Sequence, residues 1–209
     1  MESYRIEVKD MNDITLRGII KNIENSHSID GIAFDKALLI VKREDGKEDI
    51  LNLRFKSFTN RYLENDYVEL KGNIRSYSYK LDEEHNKVLI YVFTYFDKPE
   101  ELDGPTNTAI VDGRICKMND IRLTRNGRHN IHFILANNLI SNSGTKRLNS
   151  YIPCIAWGRT AKDISKLNVN SQVKLFGKLH SREHKKIHSN GEIEIRVAHE
   201  FVVESFEVL

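Results

Sequence analysis

Apolar and polar residues alternate in many short stretches of this chain, and a period of two residues is typical of β-strands with one buried face. In the first half these stretches lie at 4–9, 14–23, 33–42, 50–55, 67–79 and 88–96. In the second half they lie at 109–116, 130–137, 151–157, 172–182 and 192–203. Apolar residues at helical spacing are found at 57–65 and 160–167. The pattern therefore predicts an all-β protein with two short helices.

After the stretch at 4–9, the elements come in the same order in both halves: three strands, a short helix and two further strands. The landmarks that correspond are Gly18 with Gly113, Phe55 with Trp157, Gly72 with Gly177, and Ser76 with Ser181. A glycine inside a strand usually marks a bulge or a sharp bend. Long, bent strands with a helix between the third and the fourth describe the OB-fold, a five-stranded Greek-key barrel. We therefore predict two tandem OB-folds that arose by duplication.

The segment between the two halves has the composition of a linker. Residues 97–107 contain two of the three prolines of the chain together with Gly104, and they show no apolar periodicity. Such segments commonly separate domains. A chain of 209 residues is long enough for two domains of about 100 residues each. We predict an N-terminal barrel over 1–98, a linker over 99–106 and a C-terminal barrel over 107–209.

Composition argues against several classes of protein. The sequence has no apolar run of about eighteen residues that could span a membrane, and its first residues lack the basic and apolar regions of a signal peptide. We therefore expect a cytoplasmic protein with no membrane partner. The sequence also lacks a phosphate-binding glycine loop, paired carboxylates in an apolar setting, and a nucleophile with a suitably spaced histidine. We therefore expect neither an enzyme nor a cofactor.

The residue types that often ligate metals do not predict a metal site. Cys116 and Cys154 each lie in an apolar alternating stretch, where we expect reduced core thiols. His180, His184 and His188 are four residues apart. That spacing brings ligands together on a helix but separates them on a strand and its loop. We expect no bound metal.

The charge is divided unevenly along the chain. The formal net charge is +2, but residues 1–103 hold 16 Lys and Arg against 21 Asp and Glu, whereas residues 104–209 hold 16 against 9. Six of the eight histidines also fall in the second half. A polyanion attracted by the electrostatic field alone would approach the second half.

The stretch 151–159, Tyr-Ile-Pro-Cys-Ile-Ala-Trp-Gly-Arg, contains the only tryptophan of the chain. Alternation predicts that Tyr151, Pro153, Ile155 and Trp157 share one face of a strand, with Arg159 beyond them. Taken alone, Trp157 could be a core residue, because large aromatic side chains are mostly buried. An accessible Trp157 would instead offer a flat surface on which nucleobases stack.

Five segments of the second half, in order and with suitable spacing, carry a family resemblance. They are Asn107-x-Ala-Ile-Val-x-Gly113-Arg-Ile, Ile121-Arg-Leu-Thr-Arg-Asn-Gly127, Phe133-x-Leu-Ala-Asn137, Cys154-Ile-Ala-Trp-Gly-Arg-Thr-Ala161 and Ser171-Gln-Val-Lys-Leu-Phe-Gly-Lys-Leu-His-Ser-Arg182. Through them residues 107–203 resemble the bacterial single-stranded DNA-binding protein (SSB) family. The first half shares only the skeleton, with Val68-Glu-Leu-Lys-Gly-Asn-Ile-Arg-Ser76 similar to the fourth strand of that family. This agrees with members that carry two OB-folds per chain.

The resemblance implies sequence-independent binding and protection of single-stranded DNA in replication, recombination or repair. It implies that Tyr151 and Trp157 stack on bases beside a cationic groove. The candidate phosphate-binding residues are Arg114, Arg128, Arg159, Lys178, Arg182, Lys185 and Lys186. We expect the two lysines at 185 and 186 in a loop over 183–191, where OB-folds commonly contact nucleic acid.

The resemblance also bears on assembly and partners. Members of the family usually present four OB-folds per particle, so two OB-folds per chain imply a homodimer. The family recruits replication and repair proteins through an acidic C-terminal tail, whereas this sequence ends at Leu209, directly after the last predicted strand. We therefore do not expect recruitment of partners through such a tail.

The role of the first half stays open at this point. Phe55, Arg75, Tyr77 and Tyr79 could form a second, poorer surface for a DNA strand, or they could serve the barrel core or a dimer contact. Two other functions remain compatible with the sequence. One is an adaptor whose acidic first half docks a replication or restart protein; the other is an RNA-binding OB module, since no feature plainly detects a 2′-hydroxyl.

Overall fold

The computed structural model describes residues 11–57, 63–80, 86–95, 107–140, 147–187 and 191–209. The strands of the first half are β1 (Asn12–Ile29), β2 (Ile32–Lys42), β3 (Glu48–Lys56), β4 (Tyr67–Lys80) and β5 (Asn86–Tyr95). Those of the second half are β6 (Asn107–Met118), β7 (Arg122–Leu123), β8 (His129–Ile140), β9 (Arg147–Trp157), β10 (Gln172–Ile187) and β11 (Ile193–Val208), with the helix α1 (Gly158–Ile164) between β9 and β10. The strand predicted at 4–9, the middle of the helix predicted at 57–65, and the linker at 99–106 lie outside the described residues.

Each half closes into a five-stranded barrel. In the first half β1 pairs with β2 and β4, β2 with β3, and β4 with β5, all antiparallel. A short parallel pairing of β3 with β5 closes the ring. In the second half β6, β8, β9, β11 and β10 form the same ring, again closed by a parallel pairing, here of β9 with β11. The prediction of an all-β protein with two OB-folds is confirmed.

Alternate residues of every long strand point into the barrels and form the core. Leu51, Leu53 and Phe55 of β3 are buried, and so are Ile152, Cys154 and Ala156 of β9. Burying a Leu, Ile or Phe side chain contributes about 1.5 to 3 kcal/mol, so these inward rows hold the barrels closed. The prediction of two core thiols is correct for Cys154 but wrong for Cys116, which is exposed on β6.

The glycines predicted to mark bends lie where two strands approach each other closely. A Cβ atom on Gly177 would stand 2.0 Å from the carbonyl oxygen of Val202, and one on Gly72 would stand 2.4 Å from that of Phe93. The β10–β11 register shifts between Phe176 and Gly177, which is the predicted bulge. Any larger residue at either position would force the paired strands apart.

The strand register corrects one predicted correspondence between the halves. Leu53 of β3 faces Val92 of β5, and Cys154 of β9 faces Phe201 of β11, so Leu53 corresponds to Cys154. Counting on from that pair, Trp157 corresponds to Lys56 and not to Phe55. A slip of one residue changes the face of a strand. Phe55 is accordingly only 2% exposed and lies in the core, so of the alternatives left open for this residue the barrel core is correct and the accessible second surface is wrong.

The two barrels are joined by a continuous sheet. The beginnings of β1 and β6 pair antiparallel, with Asn12 opposite Val111 and Leu16 opposite Asn107. The side chain of Asn12 accepts from the backbone N–H of Ile74 at 2.8 Å and donates to its carbonyl oxygen at 2.8 Å. Asn107 makes the same pair of bonds to Leu179 of β10, at 3.1 and 2.7 Å. Each barrel therefore fixes its first strand to its fourth strand in the same way.

Two serines bind the barrels to each other reciprocally. The backbone N–H of Tyr151 donates to the hydroxyl oxygen of Ser76 at 2.7 Å, across the junction. The backbone N–H of Ile50 donates to the hydroxyl oxygen of Ser181 at 2.8 Å in the opposite direction. The register makes Ile50 the counterpart of Tyr151. The predicted match of Ser76 with Ser181 therefore has a physical cause, because both serines accept equivalent bonds at the junction.

The junction around Ser181 contains buried polar groups. Asp49 is fully buried, accepts a bond from the backbone N–H of Ser181 at 2.6 Å and is paired with Arg43, which also donates to the carbonyl oxygen of Ser181 at 2.8 Å. The ring Nε2–H of His199 donates to the carbonyl oxygen of Ile50 at 2.8 Å. Burial lowers the pKa of His199, and it also lowers that of His180, which lines a groove between the barrels.

We expect the folded protein to lose stability when the pH falls from about 7.5 to about 5.5. A histidine with a lowered folded pKa takes up its proton more readily in the unfolded chain, so its stabilising contribution is present above the ordinary pKa of about 6.5 and fades below it. Thermal unfolding followed by circular dichroism should show a falling midpoint over this range. His199→Gln should flatten the dependence, while His184→Gln, which changes an exposed residue of the same strand pair, should not. An unchanged pH dependence in His199→Gln would contradict the assignment.

Candidate nucleic-acid interface

The outer faces of β8 and β9 lie side by side and carry the two predicted stacking residues. Trp157 pairs with Asn130 and Tyr151 with Ala136, so both aromatic side chains point to the same side of the sheet. Tyr151 is 52% exposed and Trp157 is partly exposed. Ile155, between them on the same side, is buried. Neither aromatic ring therefore belongs to the inward row that forms the core.

A tight hairpin brings a cation onto Trp157. The Asn126-Gly127 turn between β7 and β8 has Gly127 at φ 72°, a left-handed conformation that glycine adopts without strain. The backbone bonds of Thr124 to Gly127 and Arg128 close the turn at 2.9 Å each. The guanidinium of Arg128 then lies 5.1 Å from the centre of the Trp157 ring, which is a cation–π contact. The hairpin predicted from Asn-Gly thus positions one of the predicted cations.

An open depression of about 430 Å³ adjoins this hairpin. It is lined by residues of the hairpin and of α1, among them Arg128, Arg159 and Lys162. Arg159 extends into solvent with its side chain 96% exposed, at 3.7 Å from Asp163, and an exposed pair of this kind is weak. Gly158, at φ 59°, makes the sharp change from β9 into α1 that sets these cations beside Trp157.

Another cation lies near Tyr151. Arg114 of β6 is exposed and pairs with Ala136 of β8, which in turn pairs with Tyr151 of β9. Adjacent strands are about 4.8 Å apart, so Arg114 and Tyr151 lie two strands apart on one surface. We call the set of Arg114, Arg128, Tyr151, Trp157, Arg159 and Lys162 the stacking face. Sequence reasoning missed Lys162, which could have been found from its position one helical turn after the Trp-Gly-Arg motif.

Two predicted phosphate-binding residues are already bound to carboxylates. Lys178 lies between Glu204 at 3.2 Å and Glu44 at 3.7 Å, and its hydrogen bond to Glu204 raises its pKa. Because Glu44 belongs to the β2–β3 turn, this lysine contacts both barrels in the groove between them, and its charge is compensated by the two carboxylates. Arg182 pairs with Glu200 at 3.6 Å, although more than half of its side chain remains exposed.

The basic loop predicted over 183–191 is in large part strand. The β10–β11 ladder continues to the pair of Ile187 with Ile193, so Lys185 and Lys186 lie on a projecting two-stranded arm. Lys185 is exposed, whereas the side chain of Lys186 lies outside the described part of the structure. Lys185 pairs with Ile195 of β11, whereas the residue before Trp157 pairs with Val203 of the same strand. The two lysines therefore lie far from Trp157 along β11. Their alternation with Glu183 gives the arm mixed charge.

The remaining predicted residues lie on the first barrel. Tyr77 is 51% exposed, and its ring stacks on that of Tyr79 with centres 6.1 Å apart. The guanidinium of Arg75 covers Phe93 at 4.0 Å. Arg75, Tyr77 and Tyr79 share the outer side of β4. Sequence reasoning missed the aromatic partners on β5, although Tyr91 and Phe93 alternate within the predicted strand 88–96.

Within the described ranges, the structure offers no cluster of His, Cys, Asp or Glu suited to a metal ion. Among the same residues, no helix is long and apolar enough to cross a membrane.

Two closed five-stranded barrels, one with accessible aromatic rings beside cations on its outer wall, define an OB-fold protein of the kind that binds oligonucleotides. Residues 106–209 match the model of the Single-strand binding protein family, so the second barrel belongs to this family. No curated protein matches the sequence.

Solved structures extend the similarity to both barrels. The wild-type single-stranded DNA binding protein from Thermus aquaticus superposes with a TM-score of 0.71 at 18% identity, over 97% of this chain and 94% of that one. A deletion mutant of the same Thermus aquaticus protein gives a TM-score of 0.71 at 18% identity, over 96% of this chain and 95% of that one. At this identity the similarity establishes the two-barrel fold alone.

We expect Arg128→Ala to make Trp157 more accessible to a small quencher. The guanidinium covers one side of the indole ring, and its removal opens that side to solvent. Since Trp157 is the only tryptophan, acrylamide quenching of tryptophan fluorescence reports on this ring alone. Arg159→Ala, which removes an exposed cation nearby, should leave the quenching unchanged. Equal quenching in the Arg128→Ala and wild-type proteins would mean that the stack does not form.

Proposed function

We propose that this protein binds single-stranded DNA without sequence preference and keeps it unpaired, using the stacking face of the second barrel. The observation that carries the proposal is the accessible Trp157 ring beneath Arg128, with further cations next to it. Bases stack on Trp157 and Tyr151, while Arg114, Arg128, Arg159 and Lys162 contact phosphates. Every base has a flat face, so stacking tolerates any sequence.

The spacing of the aromatic rings suits a strand that follows β9. Tyr151 and Trp157 are six positions apart, which corresponds to about 20 Å along a β-strand. A single strand spanning this distance exposes several bases to the sheet, and OB-folds bind about 4 to 16 nucleotides each. Ile155 between the two rings is buried, so the contacts with bases come from the two rings and not from this side chain.

The cations of the stacking face favour a polyanion over a protein partner. Among the described residues of the depression beside Trp157, the charged side chains are Arg128, Arg159 and Lys162, with no carboxylate in its lining. Release of counterions from the DNA then drives association and makes affinity fall with added salt. In replication, recombination or repair, such binding would protect the single strand and keep it unpaired. This role needs no catalytic group.

We expect poly-dT to quench Trp157 fluorescence strongly, poly-U to quench it less and duplex DNA to quench it little. Trp157→Ala should weaken binding of a dT oligonucleotide by about 5-fold to 150-fold, corresponding to about 1 to 3 kcal/mol for one stacked base. Tyr67→Ala, which changes an exposed tyrosine at the start of β4, serves as the matched control and should bind like the wild type. Affinity measured at low and high salt should fall as salt rises.

The titration separates the possible outcomes. Stronger binding to poly-U than to poly-dT would make the protein an RNA-binding module. An absence of binding to dT at low salt would contradict the proposal and favour an adaptor that docks a replication or restart protein.

We further propose that two chains associate as a homodimer with four OB-folds. The support is the family's usual number of OB-folds per particle together with two barrels in this chain. Sedimentation equilibrium in the absence of DNA should give about twice the chain mass of 24.3 kDa at micromolar concentration. A monomer mass at all concentrations would contradict this proposal without affecting the one on DNA binding.

A further inference from the structure

The groove between the barrels borders the wall that carries the stacking face. Lys178 of β10 pairs with Val202 of β11, and Val202 pairs with Ile155 of β9. Ile155 lies between Tyr151 and Trp157 on the same side of β9. Paired residues point to the same side of a sheet, and neighbouring strands are about 4.8 Å apart, so Lys178 lies about 10 Å from the line between the two rings. A strand bound along β9 would therefore pass close to Lys178.

A turn of the first barrel meets the second barrel in this groove. The first barrel lines the groove with residues 42–45, and the wall of the second barrel lines it with Lys178, His180, Val202 and Glu204. The ammonium Nζ of Lys178 lies 3.2 Å from Oε1 of Glu204 and 3.7 Å from Oε1 of Glu44. One cation thus lies between two carboxylates, so a phosphate that approaches Lys178 meets a place where negative charge already exceeds positive charge.

The junction fixes the backbone of this turn. Arg43 donates to the carbonyl oxygen of Ser181 at 2.8 Å and is paired with buried Asp49, so the start of the turn is attached to β10 itself. The backbone N–H of Arg43 donates to the carbonyl oxygen of Lys47 at 2.8 Å and closes the turn. Glu44 follows Arg43 directly. The first barrel therefore presents this carboxylate to Lys178 from a defined position.

Of the two carboxylates on Lys178, that of Glu44 is the one that a ligand can replace. Its side chain is 91% exposed, whereas that of Glu204 is 55% exposed and lies closer to the ammonium. An exposed ion pair of this kind contributes little to stability, and the Glu44 side chain can turn into solvent while the backbone of the turn stays in place. Carboxylate and phosphate oxygens both accept charge-assisted bonds from an ammonium group.

We propose that Glu44 is an autoinhibitory competitor of DNA: in the free protein it occupies the place on Lys178 that a phosphate takes in the complex, and it turns into solvent when DNA binds. The identity of the ligand rests on the function proposed above. Lys178 then gives DNA only the difference between a phosphate contact and the Glu44 contact. The acidic turn of the first barrel thereby limits the affinity of the second.

The test is a double-mutant cycle in the full chain. The variants are Glu44→Gln, Lys178→Gln and the double variant, each checked for an unchanged thermal midpoint. Glu48→Gln, which removes the same charge from an exposed position four residues along the chain, is the matched control. Binding of a dT oligonucleotide of about 35 nucleotides, long enough for two OB-folds, is followed through Trp157 fluorescence at several salt concentrations.

We expect Glu44→Gln to bind the oligonucleotide about 1.5-fold to 5-fold more tightly than the wild type, which is the range of a weak exposed ion pair. The dependence of its affinity on salt should steepen by about one phosphate contact. In the Lys178→Gln background, Glu44→Gln should change the affinity no more than Glu48→Gln changes it in the wild type. Such a cycle isolates the contact between the two side chains from the general effect of removing a negative charge.

A crosslinking measurement reports on the exchange itself. A carbodiimide joins a carboxylate directly to a neighbouring amine, so the free wild-type protein should give crosslinks of Lys178 to both Glu44 and Glu204, identified by mass spectrometry. Saturation with the dT oligonucleotide should reduce the crosslink to Glu44 relative to that to Glu204.

Three results would each overturn the inference: equal affinities of Glu44→Gln and Glu48→Gln, an undiminished gain from Glu44→Gln in the absence of Lys178, or a crosslink of Glu44 to Lys178 that persists in the DNA complex. Failure of the proposed function looks different, because the wild type would then not bind dT at low salt. If Trp157→Ala weakens binding while Glu44→Gln behaves like its control, only the role of Glu44 fails.

Discussion

The structure depends on the exchange of hydrogen bonds at the junction between the barrels. Ser76 of the first barrel accepts the backbone N–H of Tyr151, and Ser181 of the second accepts that of Ile50. Around Ser181 the exchange is reinforced by fully buried Asp49, which is paired with Arg43 and bonded to the backbone of the serine. A buried carboxylate without such partners would be strongly destabilising. The barrels therefore fit together in one arrangement, and the start of β9 beside Tyr151 is fixed by the other half of the chain.

The barrel topology and most strand positions could be predicted from the sequence, because alternation and internal glycines depend on local chemistry. The face of each side chain was harder to predict where the comparison of halves slipped by one residue. Phe55 was matched with Trp157 by type and approximate distance along the chain, yet the pairing of β3 with β5 makes Lys56 the counterpart of Trp157. The register depends on how two distant strands pair, and the alternation of residues within one strand does not determine it.

The net charge of each half omits the same kind of information, namely the direction in which each side chain points. A half-chain total adds residues that point in all directions, whereas a ligand meets one surface. Some carboxylates of the first half, such as Asp49, are buried at the junction between the barrels. Arg54 of β3 instead lies on the outer wall, against the rings of Tyr77 and Tyr91. Likewise, Lys178 counts as a cation in the second half but is held by Glu44 and Glu204.

The pairing of β1 with β6 within one chain has a consequence for how the two barrels behave on dilution. Two separate subunits joined through their first strands would dissociate at low concentration, whereas tethered partners meet at a fixed effective concentration of about millimolar. Residues that hold the junction, such as Asn12 with Asn107 and Ser76 with Ser181, have matching roles in the two halves. Residues on the outer walls do not hold the barrels together and need not match between the two halves. Because the barrels are covalently joined, one of them can change its outer surface and still keep its neighbour.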